Sequence, residues 1–270
     1  MGGDSLSELY QVTGATKLSD GRIAVSTNGD HRLRIFNPEG AFLSAFGREG
    51  EGPGEFRTIQ VMGTVGSDTI VVLDGRQRRT SRFHPDRGFL GQTVIPEEVG
   101  VAMHSNGMFS DGSIVFGGLV NWAGGGAPPS SGYQRLRNPF DAVSLDGRDL
   151  VHFGEFPGTE VVWRASMVNG RSSVAAAFVH FGKSPRAMAR GNRLVLGTRD
   201  RYEVMVFEPG GRLVRVIRAQ VPVVTVTDAH LDGLLEEWLA RLPSPEMAPA
   251  FRSGFRDTPH AETMPVFEEL

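Results

Sequence analysis

Cysteine is absent from the 270-residue chain. Disulfide frameworks, cysteine-ligated zinc, iron–sulfur clusters and thiol nucleophiles are thereby excluded. An excess of positive charge is absent too: 28 basic against 31 acidic side chains leave a net charge of −3. No global field draws in nucleic acid, although a local patch could. No apolar run approaches the roughly 18 residues of a membrane helix. The opening residues Met1-Gly2-Gly3-Asp4 are polar and acidic, unlike an export signal. A chain of this length buries enough core to fold without disulfide or metal. What is abundant is glycine, 35 residues or 13% of the chain, against an average near ~7%. Glycine spread outside low-complexity runs marks many turns.

The turns recur in phase. Asp20-Gly21 is followed by Ile23-Ala24-Val25, then by Arg32-Leu33-Arg34-Ile35-Phe36 and a second turn, Asn37-Pro38-Glu39-Gly40. The same order returns from Gly66-Ser67-Asp68 to Pro85-Asp86-Arg87-Gly88, from Asp111-Gly112 to Asp146-Gly147, and from Arg190-Gly191-Asn192 to Pro209-Gly210-Gly211. Such residues tolerate the positive φ of tight hairpins. The runs between them are short, β-branched and aromatic, and of strand length. Each copy therefore reads as a four-stranded antiparallel meander. Meanders in series indicate a β-propeller with blades at about 14–46, 58–94, 101–153 and 184–218. A β-sandwich is the alternative, but it has no reason to repeat its turn chemistry in this phase.

The later blades are spread by two insertions, 119–138 and 154–183. The first holds Trp122-Ala123-Gly124-Gly125-Gly126-Ala127-Pro128-Pro129; in the second, Ala175-Ala176-Ala177 suits a helical turn or an extra strand. After Val226 the texture changes. Thr227 and Asp228 are good N-caps. Leu231, Leu234, Leu235, Trp238, Leu239 and Leu242 form one helical apolar stripe, which predicts a single late amphipathic helix near 228–242. Pro243 and Pro245 stop it, and 243–265 reads as an extended connector. Met264–Leu270 then reads as the first strand of a further blade. The expectation is one domain over 1–270, an open arc of four full blades, prone to aggregate or to need a partner.

Asn28-Gly29-Asp30-His31-Arg32-Leu33-Arg34-Ile35-Phe36-Asn37-Pro38-Glu39-Gly40, followed by Phe46-Gly47-Arg48-Glu49-Gly50-Glu51-Gly52-Pro53-Gly54-Glu55-Phe56, resembles an NHL repeat. The second copy keeps Asp74 through Gly88 without the Gly-Pro-Gly tail, and later copies keep only the hairpin phase. The whole chain is similar to the bacterial 6-bladed β-propeller proteins of the NHL type. The resemblance implies six blades and a parent protein that acts in the periplasm or outside the cell. Related propellers bind protein or RNA, and an amidating lyase among them uses histidines around an axial zinc.

Candidate chemistry is sparse. Ala177-Phe178-Val179-His180-Phe181-Gly182-Lys183-Ser184 fits a loose phosphate-loop pattern, but the inner stretch Phe178-Val179-His180-Phe181 lacks glycine and Pro185 follows where a helix is needed. Seven histidines, at 31, 84, 104, 152, 180, 230 and 260, include no close metal-ligand pair; His104 and His152 are the ones that could face the axis. Arg76, Arg78, Arg79 and Arg82 form a basic cluster that suits RNA, or a solvated loop paired with the acids of Glu49-Gly50-Glu51. No Gly-x-Ser-x-Gly elbow occurs.

Geometry supplies the sharper expectation. In a meander blade, the loops after strand two and after strand four emerge on the same face. The two insertions are one of each. With Arg48–Glu55 and Asp74–Arg79 they crowd a single face, where long loops on a rigid scaffold carry binding. The expected binding residues are Arg48, Glu51, Arg76, Arg78, Arg79, Trp122, Tyr133, Trp163 and Arg164. No catalytic residue, metal or cofactor is assigned. The reading is a non-catalytic module for a protein, peptide or glycan, without nucleic acid or a membrane span. The rivals are a metal-dependent propeller hydrolase or lyase with an axial site, and an RNA-binding NHL module.

Overall fold

The computed structural model describes residues 8–99, 105–117, 132–168 and 171–268. Blade one comprises β1 (Val12–Lys17), β2 (Ile23–Thr27), β3 (Arg32–Phe36) and β4 (Phe42–Phe46). Blade two comprises β5 (Ile59–Val65), β6 (Thr69–Asp74), β7 (Arg79–His84) and β8 (Gly88–Val94). Each is a four-stranded antiparallel meander in simple order. Blade three begins with β9 (Ser105–Met108) and β10 (Ile114–Gly117). After β11 (Gly132–Gln134) it resumes with β12 (Arg137–Val143) and β13 (Leu150–Pro157). Two long strands follow, β14 (Val161–Val168) and β15 (Arg171–Phe178). Blade four is β16 (Arg186–Arg190), β17 (Arg193–Gly197), β18 (Glu203–Phe207) and β19 (Leu213–Arg218). The fold is an all-β propeller arrangement with two late helices.

Strand alternation explains how blades stack. Successive side chains of a strand point to opposite faces, so a strand packed on both sides reads as a continuous apolar run. In β6, Ile70 and Val72 join Leu33, Ile35, Phe56 and Phe83 in the seam with blade one. Their neighbours Val71 and Leu73 join Ile114, Phe116 and Val143 in the seam with blade three. In β10 the pattern repeats: Val115 turns the other way, with Phe140, Phe153, Leu194, Leu196 and Phe207, into the seam between blades three and four. Each fully buried aliphatic or aromatic side chain contributes roughly 1.5–3 kcal/mol. These three seams are the core of the blades, and a smaller cluster gathers Val162, Val179 and Ala261.

Innermost strands β1, β5, β9 and β16 surround one cavity of about 420 Å³, lined from Ala15-Thr16, Met62-Gly63-Thr64, Gly107–Ser110 and Ala189–Gly191. Strands β9 and β16 come close enough for a parallel bridge between Gly107 and Ala189, which joins blades three and four into one eight-stranded sheet. The approach requires glycine: Gly107 has φ +100, and a Cβ there would lie 2.3 Å from the Ala189 carbonyl oxygen.

Helix α1 (Asp228–Ala240) starts at Thr227, whose N–H donates to His230 Nδ1 at 3.1 Å. The expected connector contains a second helix, α2 (Ala248–Arg256). Its proline, Pro249, lies in the first turn, where the missing N–H costs nothing, so it does not break the helix. Beyond α2 the chain runs as a strap. His180 N–H donates to Pro259 O and Ala261 N–H to His180 O, both at 2.9 Å. Met264 N–H reaches Val224 O at 2.8 Å, and Val266 N–H reaches Arg199 O at 3.2 Å. The Phe267 ring meets Tyr202 edge-on at 6.0 Å. Over its described residues 264–268, the segment expected to open a further blade lies against blade four.

Candidate functional site

The two insertions meet. Gly132, Tyr133 and Gln134 of β11 pair antiparallel with Trp163, Val162 and Val161 of β14. Strand β14 pairs in turn with β15 along its whole length, from Val161↔Phe178 to Val168↔Arg171. The result is a three-stranded sheet, ordered β11-β14-β15, separate from the blades. Ala175-Ala176-Ala177 is therefore strand and not a helical turn. Among the described residues β15 has β14 as its one partner, which leaves an eight-residue edge.

A polar network centred on the buried Glu160 ties this sheet to blade four. Glu160 is 5% exposed and accepts the Lys183 N–H at Oε2, 2.7 Å. Arg135 approaches Glu160 at 3.8 Å, forms a closer ion pair with Asp200, and donates to the carbonyls of Gly158 and Thr198. For Asp200, desolvation is the largest influence and pulls upward. Hydrogen bonds to Arg135 and Thr198 outweigh it and hold the carboxyl below its usual range. Lys183 Nζ donates to Thr263 Oγ1 at 2.9 Å, so the strap is bound as well. A hollow of about 430 Å³ opens here, bounded by Tyr133, Glu160, Lys183 and the strap at 260–263. Burial, then the hydrogen bond and negative charge of Glu160, push the Tyr133 phenol up to about 12. The residue as a whole stays 57% exposed. Lys183 belongs to the loose phosphate-loop pattern, but β16 follows it and its amine serves the strap.

The expected binding residues divide. Tyr133 and Arg164 sit on the three-stranded sheet. Arg164 is exposed and donates to Asp257 O at the end of α2. Trp163 is 1% exposed and so is a core side chain rather than a surface anchor. Its strand position places it on the face of β14 opposite Val162. Trp122 lies outside the described residues. Arg48 and Glu51 are exposed in the loop before β5, where Arg48 pairs with Glu55 at 2.6 Å and Glu51 with Arg57 at 3.2 Å. Arg76 is exposed in the β6–β7 turn.

The basic cluster is largely structural. Arg79 is 6% exposed, and its guanidinium donates to the carbonyls of Glu51 and Gly52 at 2.8 Å and of Glu55 at 2.6 Å. Arg78 donates to Pro96 O at 2.6 Å. The expected acid pairing falls to Arg57, which bonds Glu49 at 3.0 Å as well as Glu51. Gln77 Nε2 donates to Gly50 O at 2.9 Å, so the 48–55 and 74–79 loops do meet. His152 does not face the axis: it lies on β13, the outermost strand of blade three, and its Nδ1 is 2.7 Å from Asp141. His104 lies outside the described residues. Among those residues, no three acids or histidines gather as a metal site. Sequence reasoning missed Glu160, Arg135 and Asp200; Arg135 and Asp200 stand among other charged and polar residues, and nothing local marks them.

Residues 7–104, which contain blades one and two, match the family model for the 6-bladed beta-propeller. No curated protein matches the chain. Among solved structures, the chain is similar to virginiamycin B lyase from Staphylococcus aureus, at 11% identity over 78% of this chain and 71% of that one, TM-score 0.36. It is similar to a Bacteroides fragilis protein named, by inference, as exported, at 12% identity over 91% and 87%, TM-score 0.40. A chain of a nidogen–laminin complex matches at 11% identity over 77% and 80%, TM-score 0.37.

Proposed function

We propose that this β-propeller, whose first two blades are of the 6-bladed type, is a non-catalytic binding module that takes an extended peptide segment of a partner protein as a fourth strand on β15. One observation carries the reading: two insertions from different parts of the chain combine into a sheet whose long edge is open among the described residues. An open edge presents unpaired N–H and C=O groups to another chain. Natural edges are guarded by lysine, proline or bulges. The run Arg171-Ser172-Ser173-Val174-Ala175-Ala176-Ala177-Phe178 has one charge and no proline, and its pairing with β14 has no register shift. Main-chain bonds supply affinity in this mode, and neighbouring hollows select side chains. The hollow lined by Tyr133, Glu160 and Lys183 lies between this sheet and the strap. Six-bladed propellers of this type imply a site of action in the periplasm or outside the cell. No helix among the described residues is long and apolar enough to cross a membrane.

Selection of random peptides against the whole protein, followed by two variants, tests this. Successive N–H groups of a strand point to opposite sides. Of Ala176→Pro and Ala177→Pro, one therefore removes a bond to β14 and the other removes an outward donor. The variant that keeps the wild-type melting temperature should lose peptide binding. Selected peptides that bind both variants equally, or a preference for glycan or RNA over peptide, would overturn the proposal.

A further inference from the structure

Blade four has a second face. Ala189, Leu194, Leu196 and Phe207 turn into the seam with blade three. Strand alternation puts their neighbours on the opposite side: Arg186, Met188 and Arg190 of β16, Val195 and Gly197 of β17. Val204 and Val206 of β18 share that side, and so do their direct partners on β19, Ile217 and Arg215. Val195, Val204 and Val206 join none of the apolar clusters of the described residues. Met188 and Ile217 are 44% and 46% exposed. The face is thus an aliphatic centre flanked by arginines, Arg186 and Arg190 on the inner strand and Arg215 on the outer.

Its charge is one-sided. Residues 186–218 carry eight arginines against three acids, in a chain whose net charge is −3. Those acids are taken: Asp200 by Arg135, Glu203 by Arg201 and Arg218, and Glu208 by Arg193 and Arg212. Arg190 and Arg215 form no ion pair among the described residues.

The strap gives a second, independent sign of what this face accepts. The Phe267 ring fills the notch at Gly197, where a Cβ would lie 2.6 Å from it. Arg199 Nε donates to the Phe267 carbonyl at 2.5 Å, and Arg186 Nε to the Glu268 carbonyl at 3.2 Å. Arg199 is 7% exposed. Burial, then the charge of Arg186, pull its guanidinium below the usual range, and the charge of Glu268 opposes them. An aromatic ring, main-chain carbonyls and an acid therefore already meet arginine and bare backbone at one end of the face. The next row of the sheet, Met188, Val195, Val206 and Arg215 in register, stays open to solvent, with Arg190 beyond it.

We propose that this face docks an acidic peptide segment of a partner protein. Its apolar side chains rest on Met188, Val195 and Val206, and its carboxylates meet Arg190 and Arg215. Charge complementarity selects the acid. The aliphatic centre selects peptide over nucleic acid, whose bases stack on aromatic platforms. None of these residues belongs to the β11-β14-β15 sheet, so this inference and the β15 proposal stand or fall separately.

The test is fluorescence anisotropy with the full chain and a labelled peptide of repeated Phe-Glu-Glu-Leu, about twelve residues long, which copies the order that starts at Phe267. The same peptide with lysine for glutamate, and a thymidine oligonucleotide, are the comparisons. The acidic peptide should bind with a Kd below about 100 μM and at least about tenfold tighter than the lysine peptide. Arg190→Glu and Arg215→Glu should each weaken it about fivefold. The double variant should prefer the lysine peptide, a reversal that damage to the fold would not produce. Arg190 is exposed, so Arg190→Glu alone keeps the test if the double variant fails to fold. Absence of acidic-peptide binding at about 1 mM overturns the proposal. So do equal affinities for the two peptides, tighter binding of the oligonucleotide, or acidic-peptide binding that ignores both substitutions.

Discussion

Gly107→Ala should weaken the seam between blades three and four more than any other single methyl addition to a glycine of the inner strands. The new Cβ would lie 2.3 Å from Ala189 O and 3.3 Å from the carbonyl carbon behind it. Real Cβ atoms do not come within 3.0 Å, so the strands must part by about 0.7 Å. The obstacle is backbone, held in place by the pairing of Ala189 with Leu194, and cannot swing aside as a side chain would. Overpacking of this kind costs about 1–3 kcal/mol. The positive φ adds about 1–2 kcal/mol for any residue with a Cβ. Together they remove roughly 2–5 kcal/mol from a typical stability of 5–15 kcal/mol. Gly191→Ala is the control: its φ is +59, but nothing lies within 4 Å of the added carbon, so only the backbone cost applies. Urea unfolding followed by fluorescence reads the difference. With a slope of ~1–3 kcal/mol/M, the Gly107→Ala midpoint should fall by about 1–2 M and the Gly191→Ala midpoint by about half as much. Equal losses at the two glycines would refute the seam argument.

Three further outcomes are expected. Arg79→Ala should cost about 3 kcal/mol or more in chemical denaturation, because it leaves the Glu51, Gly52 and Glu55 carbonyls without their donor; a loss under 1 kcal/mol would show that the loop stands without it. The depressed Asp200 carboxyl predicts a pH effect: its contribution is full above the unfolded value near ~3.9 and is lost as pH falls through the lower folded value. The gap in melting temperature between wild type and Arg135→Met should therefore be widest near neutrality and shrink in acid, and a gap independent of pH would contradict the pairing. Ultraviolet titration should detect a phenol that ionises near pH 12, and Tyr133→Phe should remove that step; its persistence in the variant would detach Tyr133 from Glu160.

The blades were legible because their signals are local. The Asp-Gly and Pro-x-x-Gly turns mark hairpins within a few residues. The unbroken run Ile70-Val71-Val72-Leu73 reports a strand packed on both faces. Strand parity predicts that the two insertions emerge on one face; the structure pairs β11 of the first with β14 of the second. Their pairing was hidden, because Tyr133 and Val162 are nearly thirty positions apart and no local pattern sets that register. Trp163 and Arg79 misled for a related reason. An indole or a guanidinium near a loop suits a recognition surface, yet one fills a core and the other holds three carbonyls, and both roles depend on distant chain. Helix α2 was missed because residues 243–265 read as an extended connector, although Pro249 falls in a first turn, where proline is permitted. His180 was read inside a phosphate-loop pattern, whereas its burial is created by Phe255 and Trp238, more than fifty residues on.

Hydrogen exchange of the whole protein with and without a selected peptide tests the central claim most directly. If a peptide adds to the open edge, alternate amides from Arg171 to Phe178 should slow markedly on binding. The others already donate to β14 and should change little. Protection that spares β15 and falls on the axial strands β1, β5, β9 and β16, or on the 48–55 loop, would contradict the account.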